Sequence, residues 1–287
     1  MKTMKMNKRC LPCLMNQVVK MAEMTGSLNQ DGLFHQVFRY MSDVDFTKTN
    51  PEIIGEVFAL VKEYIHDQDP YRQIRNDYNE MFLKQLDQLD QRIQTFDYAV
   101  KYAIVGNIID FSPMHQNVEH DVMTYFQNID DLSLTINHIE NLKTDISQAT
   151  SLLYIGDNCG EICLDKLLLK RIKALNPNIS LYFATRGEPV VNDSIEEDAY
   201  KVGIDEYATI ISNGDYSLGT VLSRVSQEFL DVYQKADVVI AKGQANFECL
   251  SEEKKNIYFL LMVKCAVISH YIGIPEKSLV CMSQSLL

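Results

Sequence analysis

From residue 150 onward the sequence repeats one pattern: a short, wholly apolar run, then turn residues, then a stretch of helical periodicity. The runs are "SLLYIGD", "ISLYFATRG", "YATIISNGD", "ADVVIAKGQ", "CAVISHYIGI" and "SLVCM". The patterns "EICLDKLLLKRIKAL" and "SLGTVLSRVSQEFLDVYQ" are the clearest helical stretches between them. Strands without polar alternation are buried on both faces, and strands that alternate with helices pair in parallel. Residues 149–287 are therefore expected to form an α/β domain, a three-layer α/β/α sandwich around a mainly parallel sheet.

Residues 1–148 follow a different rule and read as an all-helical domain. "CLPCLMNQVVKMAEMTG" spaces Leu14, Val18, Met21 and Met24 at helical intervals, with Pro12 in the first turn and Gly26 as a stop. "NPEIIGEVFALVKEYI" is a second amphipathic segment. "DPYRQIRNDYNEMFLKQL" opens on Asp69 as a cap and Pro70 as the first helical residue. "FDYAVKYAIVGNIIDF" and "VEHDVMTYFQNI" continue the periodicity.

Charge narrows the function. With 27 basic and 39 acidic residues the net charge is −12, the opposite of a nucleic-acid footprint. No apolar stretch has the roughly 18 residues that a membrane span needs, and the start lacks the apolar core of a secretion signal. The seven cysteines are odd in number and scattered, as reduced thiols are. These features point to a cytoplasmic protein with no nucleic-acid or membrane partner, and leave the oligomeric state open.

Open parallel sheets bind ligands outside the carboxyl ends of their strands. Here those ends carry Asp157 and Asn158; then Arg186, Gly187, Asn192 and Asp193; then Asn213, Gly214 and Asp215; then Lys242, Gly243, Gln244 and Asn246. Asp, Asn and Asp are hard oxygen donors suited to Mg²⁺ or Mn²⁺, and a lysine beside glycines suits a phosphate. The same residues serve plainer ends: Asp157 as a helix cap, Asn158 in a left-handed turn, Asn192–Asp193 as a helix start and Lys242 as a solvated side chain. Dinucleotide binding would need G-x-G-x-x-G after the first strand, where "GDNCGE" stands, and an acid at the tip of the second, where "ATRG" stands. A methyltransferase using the sheet crevice would also want a more glycine-rich first turn. It and a non-catalytic metal- or metabolite-binding protein are the alternatives to an enzyme of phosphate chemistry.

At these residues the sequence resembles the metal-dependent damage-control phosphatases, the domain of unknown function 89. "GDNCGE", "RGEPVVNDSIEEDA" and "AKGQANFECL" look like three of the family's blocks. "CLPC", "DPYRQIRNDYN", "KYAIVGNIIDF" and "LLMVKCAVISHYIGI" match in order around them, so the resemblance spans nearly the whole chain. The "CLPC" start resembles the shorter, mainly prokaryotic branch. Cys159 departs from the small residue, such as alanine, found in many relatives.

The resemblance implies a divalent cation (Mn²⁺ or Mg²⁺ first, Ni²⁺ or Co²⁺ next) held by Asp157, Asn158 and Asp193, with Lys242 on the phosphate. It brings Asn107 and Asp110 to the same cleft from the helical half. The implied activity is hydrolysis of phosphate monoesters of small metabolites, sugar phosphates among them. Asp157 and Lys242 are the expected catalytic residues, and Arg186 and Gly187 line the phosphate side. Two nucleophiles stay open, Asp157 itself or a water activated at the metal. Cys10 and Cys13 suit a structural or auxiliary role, since no second pair completes a zinc site and the pair precedes every strand. The dispersed histidines, His115 and His120 included, read as surface residues.

Overall fold

The computed structural model describes residues 4–107 and 124–286. The chain opens with α1 (Leu11–Met24), α2 (Asp31–Ser42) and α3 (Asn50–Ile65). Their apolar stripes enclose a core of Leu14, Val18, Met21, Leu33, Val37, Ile53, Val57 and Phe58. Thr49 starts α3 by accepting the Glu52 N–H at 3.2 Å, and left-handed His66 ends it.

α4 (Arg72–Leu83), α5 (Leu86–Arg92) and α6 (Phe96–Gly106) pack elsewhere. Phe82, Leu89, Val100 and Ile104 join the core on one face of the sheet. Asp69 is not the cap of α4. Tyr71 occupies that position without a side-chain bond, and the Asp69 carboxylate instead accepts from Arg75 at 2.5 and 2.9 Å and from Arg72 at 3.1 Å.

The strands are β1 (Ile136–Asn137), β2 (Ser151–Ile155), β3 (Ser180–Thr185), β4 (Thr209–Ser212), β5 (Val238–Lys242), β6 (Ile257–Met262) and β7 (Leu279–Ser283). They form one sheet in the order β1-β7-β6-β5-β2-β3-β4. Every pair is parallel except β6–β7. α7 (Ile139–Gln148), α8 (Glu161–Leu175) and α9 (Glu196–Val202) cover the face that also receives α6. α10 (Gln227–Lys235), α11 (Gly243–Leu250) and α12 (Ala266–Ile272) cover the other. Each fully buried Leu, Ile, Val or Phe on these faces contributes about 1.5–3 kcal/mol relative to exposure. The sheet takes its edge strand β1 from ahead of the boundary expected at residue 149. Among the described residues no helix is long and apolar enough to cross a membrane.

Two segments differ from the sequence expectation. "CAVISHYIGI" is not a strand: Ala266–Ile272 is helical, closed by Gly273 at φ +82°. A seven-residue, mostly apolar segment fits either periodicity, and here the strand is β6 just ahead of it. "SLGTVLSRVS" is not helical, because its polar side chains are recruited inward. Thr220 is fully buried and donates to Asn246 Oδ1 at 2.9 Å, and the helix waits for the Ser226 cap.

Candidate active site

β2 and β5 are neighbours, but the chain leaves them in opposite directions along the sheet, from β2 to β3 and from β5 to β6. The helices that follow them, α8 and α11, lie on opposite faces. Two such strands diverge into a crevice at their carboxyl ends, where open α/β sheets take ligands. Asp157 and Asn158 leave β2 at that crevice, and Gly243 leaves β5.

Backbone pairing brings the loop after β3 to the same place. Asn158 and Asp193 form an antiparallel bridge. The Cys159 N–H donates to the Asn192 carbonyl at 3.0 Å, and the Ser194 N–H to the Asp157 carbonyl at 2.8 Å. Val191, just before this segment, sits at φ +47°, a region that β-branched residues rarely enter and one met at functional sites.

Neither Asp157 nor Asn158 does the plain job that its type allows. α8 starts behind Gly160 with no side-chain cap, and Asn158 does not have a positive φ. Asp157 Oδ2 accepts from Asn158 Nδ2 at 2.9 Å and Asn107 Nδ2 at 3.1 Å, while Oδ1 faces Arg186 Nη2 at 3.4 Å. Gly243, at φ +76°, is what admits this carboxylate to the start of α11. A Cβ there would lie 1.9 Å from Asp157 Oδ2. Asn158 Nδ2 also donates to Glu161 Oε2 at 2.9 Å, and its Oδ1 accepts from Asn192 at 2.9 Å, leaving that oxygen a second lone pair.

Beneath these groups lies a buried ionic network. Arg186 donates from Nε to Asp193 at 2.7 Å and from Nη1 to Thr220 and Asn246. Lys242, with no exposed surface, donates to Glu161 Oε1 at 2.6 Å, Asp165 Oδ1 at 2.5 Å and the Ala103 carbonyl at 2.9 Å. Four buried carboxyl groups (Asp157, Glu161, Asp165, Asp193) thus share two buried cations.

The proton affinities show the imbalance. Burial, then the charges of Asp193 and Glu161, push Asp157 well above the usual carboxylate range against the pull of Arg186. Burial raises Asp193 to about 6 despite Arg186. Burial raises Asp165 to about 7 despite Lys242, with Glu161 adding to the rise. Burial acts on Glu161 too, but the Lys242 ammonium and the Asn158 amide outweigh it and hold the group low.

This set fits a hard divalent cation. Two carboxylates and an amide oxygen converge at the crevice, and the buried cations cannot neutralise all the acids around them. A bound cation would supply the missing charge. Among the described residues no group of three or more Asp, Glu, His or Cys side chains is arranged as metal ligands.

The other residues expected here fall as follows. Asn107 is fully buried in the crevice, bridging Asp157, Glu161 Oε2 at 3.3 Å and the Met262 N–H at 3.4 Å. Asp110 lies outside the described residues, as do His115 and His120. Lys242 reaches the crevice only with its backbone. Its three ammonium donors are all taken, so it has none left for a phosphate. Gly187 gives its N–H to the Asp215 carbonyl at 2.9 Å, and Arg186 lies under the acids, 2 % exposed. Asp215 itself pairs with Arg224 at 3.0 Å.

Glu161, Asp165 and Lys264 went unseen in the sequence. Glu161 reads there as an ordinary acid in a first helical turn. Lys264, just past β6, belongs to no charge pattern. It is exposed, yet its charge bears on Asp157, Glu161 and Asp193 alike.

A family profile for the damage-control phosphatase ARMT1-like domain matches residues 6–280. A damage-control phosphatase, PH1575, of Pyrococcus horikoshii is 32% identical over 287 residues, covering 97% of this chain and 98% of its own. A damage-control phosphatase of Archaeoglobus fulgidus is 30% identical over 238 residues, covering 80% of this chain and 81% of its own. The crystal structure of the Pyrococcus protein, described as a DUF89 family protein, superimposes with a TM-score of 0.89 at 30% identity, over 98% of this chain and 99% of that one.

Proposed function

The chain belongs to the damage-control phosphatase family, and on that premise we propose that it is a divalent-metal-dependent phosphatase acting on phosphate monoesters of small metabolites such as sugar phosphates. The observation that carries the reading is the buried cluster of four carboxyl groups on two cations, with Asp157, Asn158 and Asp193 brought together at the crevice. A divalent cation (Mn²⁺ or Mg²⁺) held by those three residues would polarise the phosphoryl oxygens and offset the charge that develops on them.

The remaining roles follow from what each side chain touches. Arg186 holds Asp157 and Asp193 from below, and its charge favours their ionised forms against the effect of burial. Lys242 does the same for Glu161, whose Oε2 in turn accepts from Asn107 and Asn158 and fixes the orientation of both amides. Asp157 is assigned as a ligand, its carboxylate fixed in orientation by Asn107, Asn158 and Arg186, and the attack on phosphorus is assigned to water. Lys264 is an exposed cation whose backbone N–H donates to Gln244 Oε1 at 3.1 Å, and it is assigned to the phosphate in place of Lys242. The free cysteines accord with a reducing cytoplasm.

Phosphate release from p-nitrophenyl phosphate and a panel of sugar phosphates, with Mn²⁺ or Mg²⁺ and with EDTA, tests the proposal. Hydrolysis that stops with EDTA and returns with added Mn²⁺ supports it. Hydrolysis indifferent to chelation refutes the metal, and no hydrolysis of any ester in the presence of metal refutes the phosphatase.

A further inference from the structure

The motif "DPYRQIRNDYN" finds no role in the chemistry above, yet its residues reach both loops of the acid site from α4. Asn79, fully buried, accepts the Gly160 N–H on Oδ1 at 2.6 Å. From Nδ2 it faces Asp198 Oδ1 at 3.5 Å. Arg75, 2 % exposed, donates from Nε to Asp198 Oδ2 at 2.9 Å and from its two terminal nitrogens to Asp69. Asp198 Oδ2 in turn accepts the Ile195 N–H at 3.1 Å, two residues beyond Asp193.

We propose that Arg75 and Asn79 are positioning residues that clamp the Asp157–Glu161 turn to the Asp193–Asp198 segment and thereby set the affinity of the site for its cation. Gly160 and Ile195 are the backbone handles of the two loops that carry the metal set. Gly160 stands at φ +78°, where its amide points away from α8 and needs a partner from another element. Asn79 is that partner. A Cβ on Gly160 would come within 3.1 Å of Phe82 and 3.2 Å of Tyr78, so α4 lies against the turn itself. The guanidinium holds Asp198 through Nε while its terminal fork grips Asp69, which balances its charge, an arrangement that a lysine cannot reproduce. The Asn158–Asp193 bridge is thus held from outside the crevice by one helix.

The inference rests on the metal reading, and its test separates the two. Mn²⁺ binding is measured by titration calorimetry on the wild type, Asn79→Ala, Arg75→Lys and Val18→Ala, the last destabilising the α1–α3 core without removing a residue of the clamp. Hydrogen exchange at the Gly160 amide is followed without metal. We expect Asn79→Ala to weaken Mn²⁺ about 10–100-fold, the usual cost of losing a residue that orients ligands. Arg75→Lys, which keeps the buried charge and serves if Asn79→Ala does not fold, should weaken it in the same direction. Val18→Ala should leave the affinity unchanged, and Gly160 should exchange faster in Asn79→Ala than in Val18→Ala. A wild type that does not bind Mn²⁺ would overturn the metal reading and the affinity claim together. Unchanged Mn²⁺ affinity in Asn79→Ala and Arg75→Lys, beside a wild type that binds, would overturn the inference alone. So would Gly160 exchange that matches the Val18→Ala control.

Discussion

The ammonium of Lys242 lies 2.6 Å from Glu161 Oε1, and neither side chain reaches solvent. Asp165 Oδ1 completes the pair at 2.5 Å, and both carboxylates raise the proton affinity of Lys242 against the opposing effect of burial. A lysine at the tip of a sheet strand has therefore turned under the rim to hold the acids that shape it.

Lys242→Met should consequently be a stability mutant before it is a catalytic one. Breaking a buried ion pair by removing one partner costs about 3–5 kcal/mol, because the remaining charge is left uncompensated. Urea denaturation of the metal-free protein measures this. A variant within about 1 kcal/mol of wild type, the scale of an exposed ion pair, would show that the ammonium is free.

Lys264→Ala should show the opposite profile. The side chain is exposed, so the melting temperature should stay within a degree or so of wild type, as for ordinary surface substitutions. A lost charge-assisted contact to phosphate is worth about 1.5–3 kcal/mol, which lowers kcat/KM by about 10–100-fold. Steady-state kinetics at fixed Mn²⁺ decides, and an unchanged kcat/KM would remove Lys264 from the site.

These two lysines show where the sequence stops being informative. The sheet was legible because β2, β3 and β5 carry unbroken apolar runs, and α3 and α8 because their periodicity is long. α12 was not, since a seven-residue segment with five apolar positions satisfies strand and helix alike. Asp157, Asn158 and Asp193 could be picked out because strand ends fall at one rim in any parallel sheet. The direction of a lysine's four-carbon stem is decided by what lies beneath it, here Glu161 and Asp165 on α8, and no local pattern records that. The Arg75–Asp198 and Asn79–Gly160 contacts join residues more than 80 positions apart, beyond the reach of spacing arguments.

Glu248 predicts a pH effect independent of the metal. It is a buried residue of α11 beside Gln244 and Asn50, its charge felt at Cys10, and burial raises it from an ordinary 4.5 to about 7. Between those values the folded protein binds more protons at this site than the unfolded chain does. Stability from this group therefore falls as pH rises from about 4.5 to about 7, then levels off. Glu248→Gln should gain melting temperature relative to wild type at pH 8 and show little gain at pH 4.5. An equal difference at both pH values would place the Glu248 carboxyl in an ordinary environment.

The central claim is that Asp157 is a ligand of a cation that the acid cluster requires, and thermal melting with and without Mn²⁺, read beside phosphate release, tests it most directly. A ligand at a hundredfold excess over its Kd stabilises the native state by about 2.7 kcal/mol, a rise of several degrees for a chain of this size. Wild type should show that rise and hydrolyse phosphate esters. Asp157→Asn keeps the side chain's shape but removes one of the mutually repelling buried carboxyls. It should melt at or above the metal-free wild type, show no Mn²⁺ shift and release no phosphate. An Asp157→Asn protein with the wild-type Mn²⁺ shift and the wild-type rate would contradict the account.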